Sequence, residues 1–469
     1  MPSSSRRCLF MSLLLAELLL PTTGCDSLGD QTFHSNRDKG IDTQYVAESE
    51  ENSPILVNLE PGFDSQDPIL ATSTIYRIQS LKLAFVPRGR LKNLQKAGAL
   101  AHIFPTLEKG KEWYIARIHD DSETPPSTFI PLLKNDNILL YKVSPSEVGE
   151  LGAHGAHLVR LSPLPHFENR LNQETQRVST PSVSTALPAL LNEITEESWS
   201  QIVRELSGDI SFNLGNETYQ ITSRHTEHPD NTLIGDYLIQ IFQSYGYEVE
   251  SQTFLFDGEL ERNIVARRKG ILFPNSVYVL GGHYDSRAQD LSDPSLLAPG
   301  ADDNASGVAV VVEAARVLAK QDFAATVEFV LFGAEEQGLI GSQFYVIDAA
   351  EKGKRLKGAI LTDMTSYWKE NYQLIIEGTP RYRHWMSIAV NAAKKYSDLP
   401  TNPNYFSFGS DHVSFQNAGI PAYLLIEEDW EVYPDYHTSQ DVFNNCDPHM
   451  GSEVARIATA ALAEAAGML

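Results

Sequence analysis

From residue 195 onward the chain alternates two kinds of segment. Short runs such as SVYVLGG (276–282), ATVEFVLFG (325–333), GAILTD (358–363) and PAYLLIEE (421–428) are almost continuously apolar. A strand with one wet face alternates polar and apolar residues, so these runs predict strands covered on both faces. Between them lie helical patterns: TEESWSQIVREL after a Thr cap, DNTLIGDYLIQIFQSYG closed by Gly246, SGVAVVVEAARVLAKQ, and RYRHWMSIAVNAAKKY. The combination predicts an α/β fold with a mostly parallel, mixed central sheet and helices on both faces.

In such sheets, sites form beyond the carboxyl ends of the strands. Here those ends carry an unusual set of residues. His283 and Asp285 leave the strand over 276–281 two positions apart, and residues i and i+2 of an extended segment point the same way. Asp302, Asp303 and Asn304 precede a helix. Glu335 and Glu336 follow a buried strand directly. Asp363 ends another, and His437 lies in a polar loop after the strand over 422–426. Taken singly, each is a turn former, a helix cap or a solvated loop residue. Adjacent carboxylates at the exit of a buried strand repel, and a nearby cation relieves that cost. Taken together, His283, Asp303, Glu335, Glu336, Asp363 and His437 predict a metal centre on one sheet edge. Mixed His and carboxylate ligands suit zinc. Five ligands exceed what one zinc needs from protein but suit two when a carboxylate bridges them, which leaves one glutamate as a base.

GGHYDS, GADDNASG, GAEEQGLIGS, the strand-end Asp363, GSDHVSF and YHTSQD occur in this order. The arrangement resembles the di-zinc aminopeptidase family of co-catalytic zinc exopeptidases, over about residues 195–469. The resemblance implies two Zn2+ per chain, with Asp303 bridging, His283 and Asp363 completing one metal, and Glu336 and His437 the other. It also implies that Asp285 orients His283 and that Glu335 is the general acid/base. Peptides would be the substrates, shortened from the N-terminus. The alternatives are a single-zinc glutaminyl cyclase or carboxypeptidase on the same fold, and a non-catalytic binding protein. Some relatives place an oxyanion-binding tyrosine just before the SDH segment; here Tyr405 and Ser407 stand near that place and neither is assigned.

The rest of the chain bounds the setting. Residues 1–24 carry Arg6 and Arg7, an apolar run to Leu20 and then small residues, the layout of a signal peptide. TTGC resembles a bacterial lipobox, so a lipid on Cys25 and membrane attachment at the cell envelope are expected, with periplasmic or secreted location as the alternative. Three cysteines, one of them inside the signal segment, leave no disulfide framework. Residues 25–60 read as a polar tether, 61–165 as a small α+β accessory or pro-domain, 166–194 as a Ser/Thr/Pro/Gln-rich linker, and 195–469 as the peptidase domain. Within 61–165, LKLAFVP, EWYIARI, NILLYKV and AHLVRLS predict strands and RLKNLQKAGALAHIF a helix. A formal net charge of −24 argues against a nucleic-acid partner.

Overall fold

A computed structural model describes residues 53–60, 70, 73–78, 81–118, 124–165, 185–405 and 409–469. The expected signal segment, Cys25 and most of the tether and linker lie outside these residues. The central sheet has eight strands in the spatial order Glu248–Phe256, Glu259–Arg268, Ala325–Phe332, Phe273–His283, Arg355–Thr362, Ala422–Glu427, Leu374–Glu377 and Thr401–Asn404. The four strands from Ala325–Phe332 to Ala422–Glu427 run parallel to one another, and antiparallel pairings flank them on both sides. Their carboxyl ends therefore meet on one edge.

The continuous apolar runs divide their side chains between two layers. Leu280, Phe329, Leu331, Ile360 and Leu425 pack under the helices Glu196–Leu206, Gly307–Leu318, Arg383–Tyr396 and Pro448–Ala466. Val279, Val330, Phe332, Leu361 and Leu424 face the other way, against Tyr345, Val346 and Phe415 of the helices Ile340–Glu351 and His412–Asn417. Burying each such side chain contributes about 1.5–3 kcal/mol, so the two-sided covering is what makes these strands viable. Thr195 caps its helix as the sequence predicts, its hydroxyl accepting from Ser198 N at 3.0 Å.

The amino-terminal segment contains two four-stranded antiparallel-paired sheets. One orders Thr74–Ile78, Leu81–Pro87, Pro54–Leu59 and Leu100–Ile103; the other orders Leu133–Asn135, Ile138–Val143, Glu112–Arg117 and His157–Leu161. Three local expectations shift. Pro54–Leu59, placed in the tether, is a strand whose Leu56 and Val57 are buried. Leu187–Leu191, placed in the linker, is a short helix anchored by buried Leu187 and Leu191. The helix expected over 90–104 stops at Lys96, because Gly98 turns the chain at a φ of 68° and Leu100–Ile103 then joins the sheet.

Candidate metal centre

His283 ends its strand, Glu335 and Glu336 follow the strand Ala325–Phe332, Asp363 follows Arg355–Thr362, and His437 is reached from the end of Ala422–Glu427. Asp303 comes from the kinked turn Ala301–Ser306, whose backbone is non-helical at Asp303 and Asn304 and which leads into the helix Gly307–Leu318. The structure brings all of them together. Asp303 Oδ1 lies 3.3 Å from His283 Nε2, and Asp303 Oδ2 lies 3.2 Å from His437 Nε2. His283 Nε2 is also 3.3 Å from Asp363 Oδ1, and His437 Nε2 is 3.2 Å from Glu336 Oε2. Donor atoms of His283, Glu335 and Asp363 lie within 4.8 Å of one another, as do those of His283, Asp303 and Glu336.

The far side of each imidazole fixes its tautomer. His283 Nδ1 is 3.2 Å from the Asp285 carbonyl, and His437 Nδ1 is 3.3 Å from the Gly155 carbonyl. A carbonyl only accepts, so each Nδ1 carries a proton and Nε2 is the atom turned to the carboxylates, donating to them when the ring is protonated and free to offer its lone pair where a cation takes that proton's place. The Asp285 side chain lies 3.6 Å from His283 Nδ1. It also does something that the sequence did not suggest: it accepts the backbone N–H groups of Glu335 and Glu336 at 3.1 and 3.2 Å.

Several supporting residues are further additions. Asp441 accepts from the amides of Asp302 and Asp303, both at 2.9 Å. Ser410 donates to Asp363 Oδ2 at 2.8 Å. Arg224, fully buried, donates to the carbonyls of Leu206, Tyr284, Pro299 and Gly300 and so pins the loop that leads to Asp303. Asp411 is buried beside the site with neither carboxylate oxygen hydrogen-bonded. Asp441, Ser410 and Asp411 sit inside the motifs quoted from the sequence, where adjacency was their only signal; Arg224 had none. Tyr405 is nearly half exposed, and Ser407 lies outside the described residues.

The electrostatics are those of a cation trap. Burial pushes the Glu335 carboxyl well above its usual range; the imidazole of His283 opposes this, and the charges of Glu336, Asp411 and Asp363 add to it. Burial also raises Glu336, with Asp303 adding to the effect. Burial alone would depress His437, but Glu336 and the hydrogen bonds to Asp303 and Glu336 push it up to about 9. Burial would raise Asp303, yet its bonds to both histidines hold it well below the carboxylate range. The carboxylates thus raise the affinity of this place for positive charge, whether proton or metal.

Residues 263–462 match the model of Peptidase family M28. The chain carries a family M28 peptidase domain. Aminopeptidase YwaD of Bacillus subtilis is 36% identical over 220 residues, covering 45% of this chain and 46% of that protein. Leucine aminopeptidase 1 of Paracoccidioides brasiliensis is 29% identical over 283 residues, covering 54% of this chain and 69% of its own. This chain thus aligns with less than half the length of YwaD. The crystal structure of Legionella pneumophila LapA aminopeptidase superimposes with a TM-score of 0.58 at 20% identity, covering 76% of this chain and 99% of LapA. At that identity the likeness is one of fold. The M28 match spans His283, Asp285, Asp303, Glu335, Glu336, Asp363 and His437.

Proposed function

We propose that this chain is an exported metallo-aminopeptidase that removes N-terminal residues from peptides, with two zinc ions per chain. The observation that carries the reading is the divided carboxylate of Asp303, one oxygen toward His283 and the other toward His437. The donor set fits zinc. Two histidines and three carboxylates converge, and Glu335 and Glu336 each keep a buried Oε1 with no hydrogen-bond partner. His283, Asp303 and Asp363 would hold one ion, and Asp303, Glu336 and His437 the other. Bound there, zinc supplies Lewis acidity, which makes water a better nucleophile and a carbonyl a better electrophile at neutral pH.

The chain's own groups do the rest. Asp285 and the Gly155 carbonyl hold the two imidazoles with Nε2 inward. Asp285 also fixes the turn that presents Glu335. The Glu335 carboxylate takes a proton from the attacking water and returns it to the leaving amine. Its buried surroundings, which raise its proton affinity, suit both halves of that transfer. The carboxylate-rich pocket attracts a free α-amine more readily than a C-terminal carboxylate, which supports attack at the amino end.

Export rests on Arg6, Arg7, the apolar run to Leu20 and the TTGC segment, where we place a lipid on Cys25. Among the described residues no helix is long and apolar enough to cross a membrane. Two assays on the purified chain test the activity: zinc content, and hydrolysis of a free peptide against its N-acetylated form. Two zincs and cleavage of the free peptide alone are expected. A single zinc would favour the cyclase alternative, and C-terminal trimming of the acetylated peptide would sink the assignment to the amino end.

A further inference from the structure

The segment before the linker meets the M28 domain at the metal centre itself. The Gly155 carbonyl receives His437 Nδ1–H at 3.3 Å. Two residues on, His157 stacks on the His437 ring, with centroids 6.3 Å apart and planes 23° apart, and its Nδ1 lies 3.0 Å from the Tyr436 hydroxyl. Tyr436 in turn lies flat on His437 at 3.7 Å. Nearby, Arg160 N donates to the Gly338 carbonyl at 3.1 Å, just beyond the Glu335–Glu336 turn. Gln343 holds the same arginine from both sides, accepting from Nε at 3.0 Å and donating to its carbonyl at 2.8 Å.

Arg287 ties this turn down from the other side. It follows the His283–Asp285 motif and is 2% exposed. Its Nη2 donates to the Gly152 carbonyl at 2.6 Å and its Nη1 to the Ala156 carbonyl at 3.2 Å. Two of the acceptors that satisfy a buried guanidinium of the M28 domain therefore belong to the preceding segment. Losing them would leave a buried charge under-solvated, which is strongly unfavourable. An apolar layer surrounds the contact, with Tyr114, Leu151 and Leu158 against Phe254, Leu291 and Ile340.

The direction of the contact matters. A blocking segment would meet the inward faces of the ligands. Gly155 instead meets Nδ1, while Nε2 stays turned toward Asp303 and Glu336. That is the position of an outer-shell acceptor, which orients a metal-binding histidine and strengthens it as a ligand. We propose that the turn 152–157 is a built-in support for His437, and that the segment 53–165 stays with the M28 domain in the active protein rather than leaving as a pro-region. This rests on the zinc reading of the site. Gly155 has a φ of 98°, which a side chain resists, so the carbonyl is aimed by a residue that is hard to replace.

Two experiments on the full chain test it. In the first, a specific protease sequence is inserted between residues 166 and 184 and cut. The two fragments are expected to co-elute on size exclusion with zinc content and turnover unchanged. Separation with turnover kept or raised would overturn the proposal. In the second, zinc affinity of Gly155→Ala is measured by chelator competition beside its thermal unfolding. A roughly 10–100-fold weaker zinc affinity is expected. Wild-type affinity in a folded Gly155→Ala chain would reduce the turn to packing and overturn the support of His437. Failure of the wild type itself to take up zinc would instead overturn the metal reading.

Discussion

The carboxylate of Asp285 divides between Glu335 and Glu336, its Oδ1 accepting the amide of the first at 3.1 Å and its Oδ2 that of the second at 3.2 Å. Because the strands that lead to them run side by side, with His283 in register with Phe332, Asp285 reaches the glutamate turn with its fully buried carboxylate and His283 Nδ1 with its backbone carbonyl at 3.2 Å. The proposed ligand His283 and the proposed base Glu335 are thereby positioned by the same residue. Asp285→Asn keeps the volume but puts an NH2 where an amide N–H expects an acceptor. Turnover and zinc affinity should each fall about 10–100-fold, as for other supports of metal ligands. Wild-type values for both would remove Asp285 from the machinery.

Arg224 acts at longer range. Its guanidinium sits in full burial among four backbone carbonyls, two of them, Pro299 and Gly300, at the head of the Asp303 turn. Burial pulls its pKa down to about 10, so it remains charged at neutral pH. Arg224→Met leaves those carbonyls without donors and should cost on the order of 3 kcal/mol or more. Arg224→Lys should recover only part, since a compact ammonium cannot reach the same fork of acceptors. Urea unfolding of the two variants tests this, and full stability of Arg224→Lys would contradict it.

Glu328 gives the acid side of the stability profile. It lies buried in the central strand Ala325–Phe332, accepting from Arg267 Nε at 2.7 Å, Lys354 Nζ at 3.0 Å and the Tyr345 hydroxyl at 2.5 Å. Burial would raise its pKa, but Lys354, Tyr345 and Arg267 more than reverse that and hold it below 4.5. A depressed carboxylate contributes stability above its unfolded pKa and loses it as pH falls through the folded one. Removing one partner of such a buried cluster costs roughly 3–5 kcal/mol, so Glu328→Gln should be destabilised by that order at pH 7. The gap to wild type should close below about pH 4.5, near the unfolded glutamate value. A gap independent of pH would show that the charge is not what matters.

What the sequence discloses, and what it hides, follows from how local each signal is. The strands carrying His283, Glu335 and Asp363 are legible because burial on both faces forces long apolar runs, and the metal-binding residue types stand at their ends. The helix Pro448–Ala466 escaped, although it is nearly all buried, because small alanines on every side give it no polar face to contrast with. The hairpin Glu248–Phe256 with Glu259–Arg268 lies at the sheet edge, and the half-polar alternation of its first strand resembles a loop. Asp441, Ser410 and Arg224 act through contacts made only when distant segments meet. The Gly155 carbonyl is a backbone group, so no residue type could announce it.

Glu335 and Glu336 look equivalent in sequence and are not equivalent in space. Glu336 places Oε2 3.2 Å from His437 Nε2, within the half of the site that includes Asp303 Oδ2. Glu335 lies with His283 and Asp363 instead and keeps an unpartnered Oε1. Adjacent side chains leaving a strand diverge, which lets one bind metal while the other handles protons. Glu335→Gln preserves shape and all five expected ligands. It should keep both zincs while turnover falls by about 10²–10⁴-fold, the usual contribution of a general acid/base. Glu336→Gln removes an anionic ligand, so it should lose or weaken one zinc and also lower the melting temperature, because metal binding adds to folding free energy. Zinc per chain, turnover and thermal unfolding of both variants separate the roles. Metal loss in Glu335→Gln with full retention in Glu336→Gln would exchange them, and unchanged turnover in both would take the pair out of the reaction.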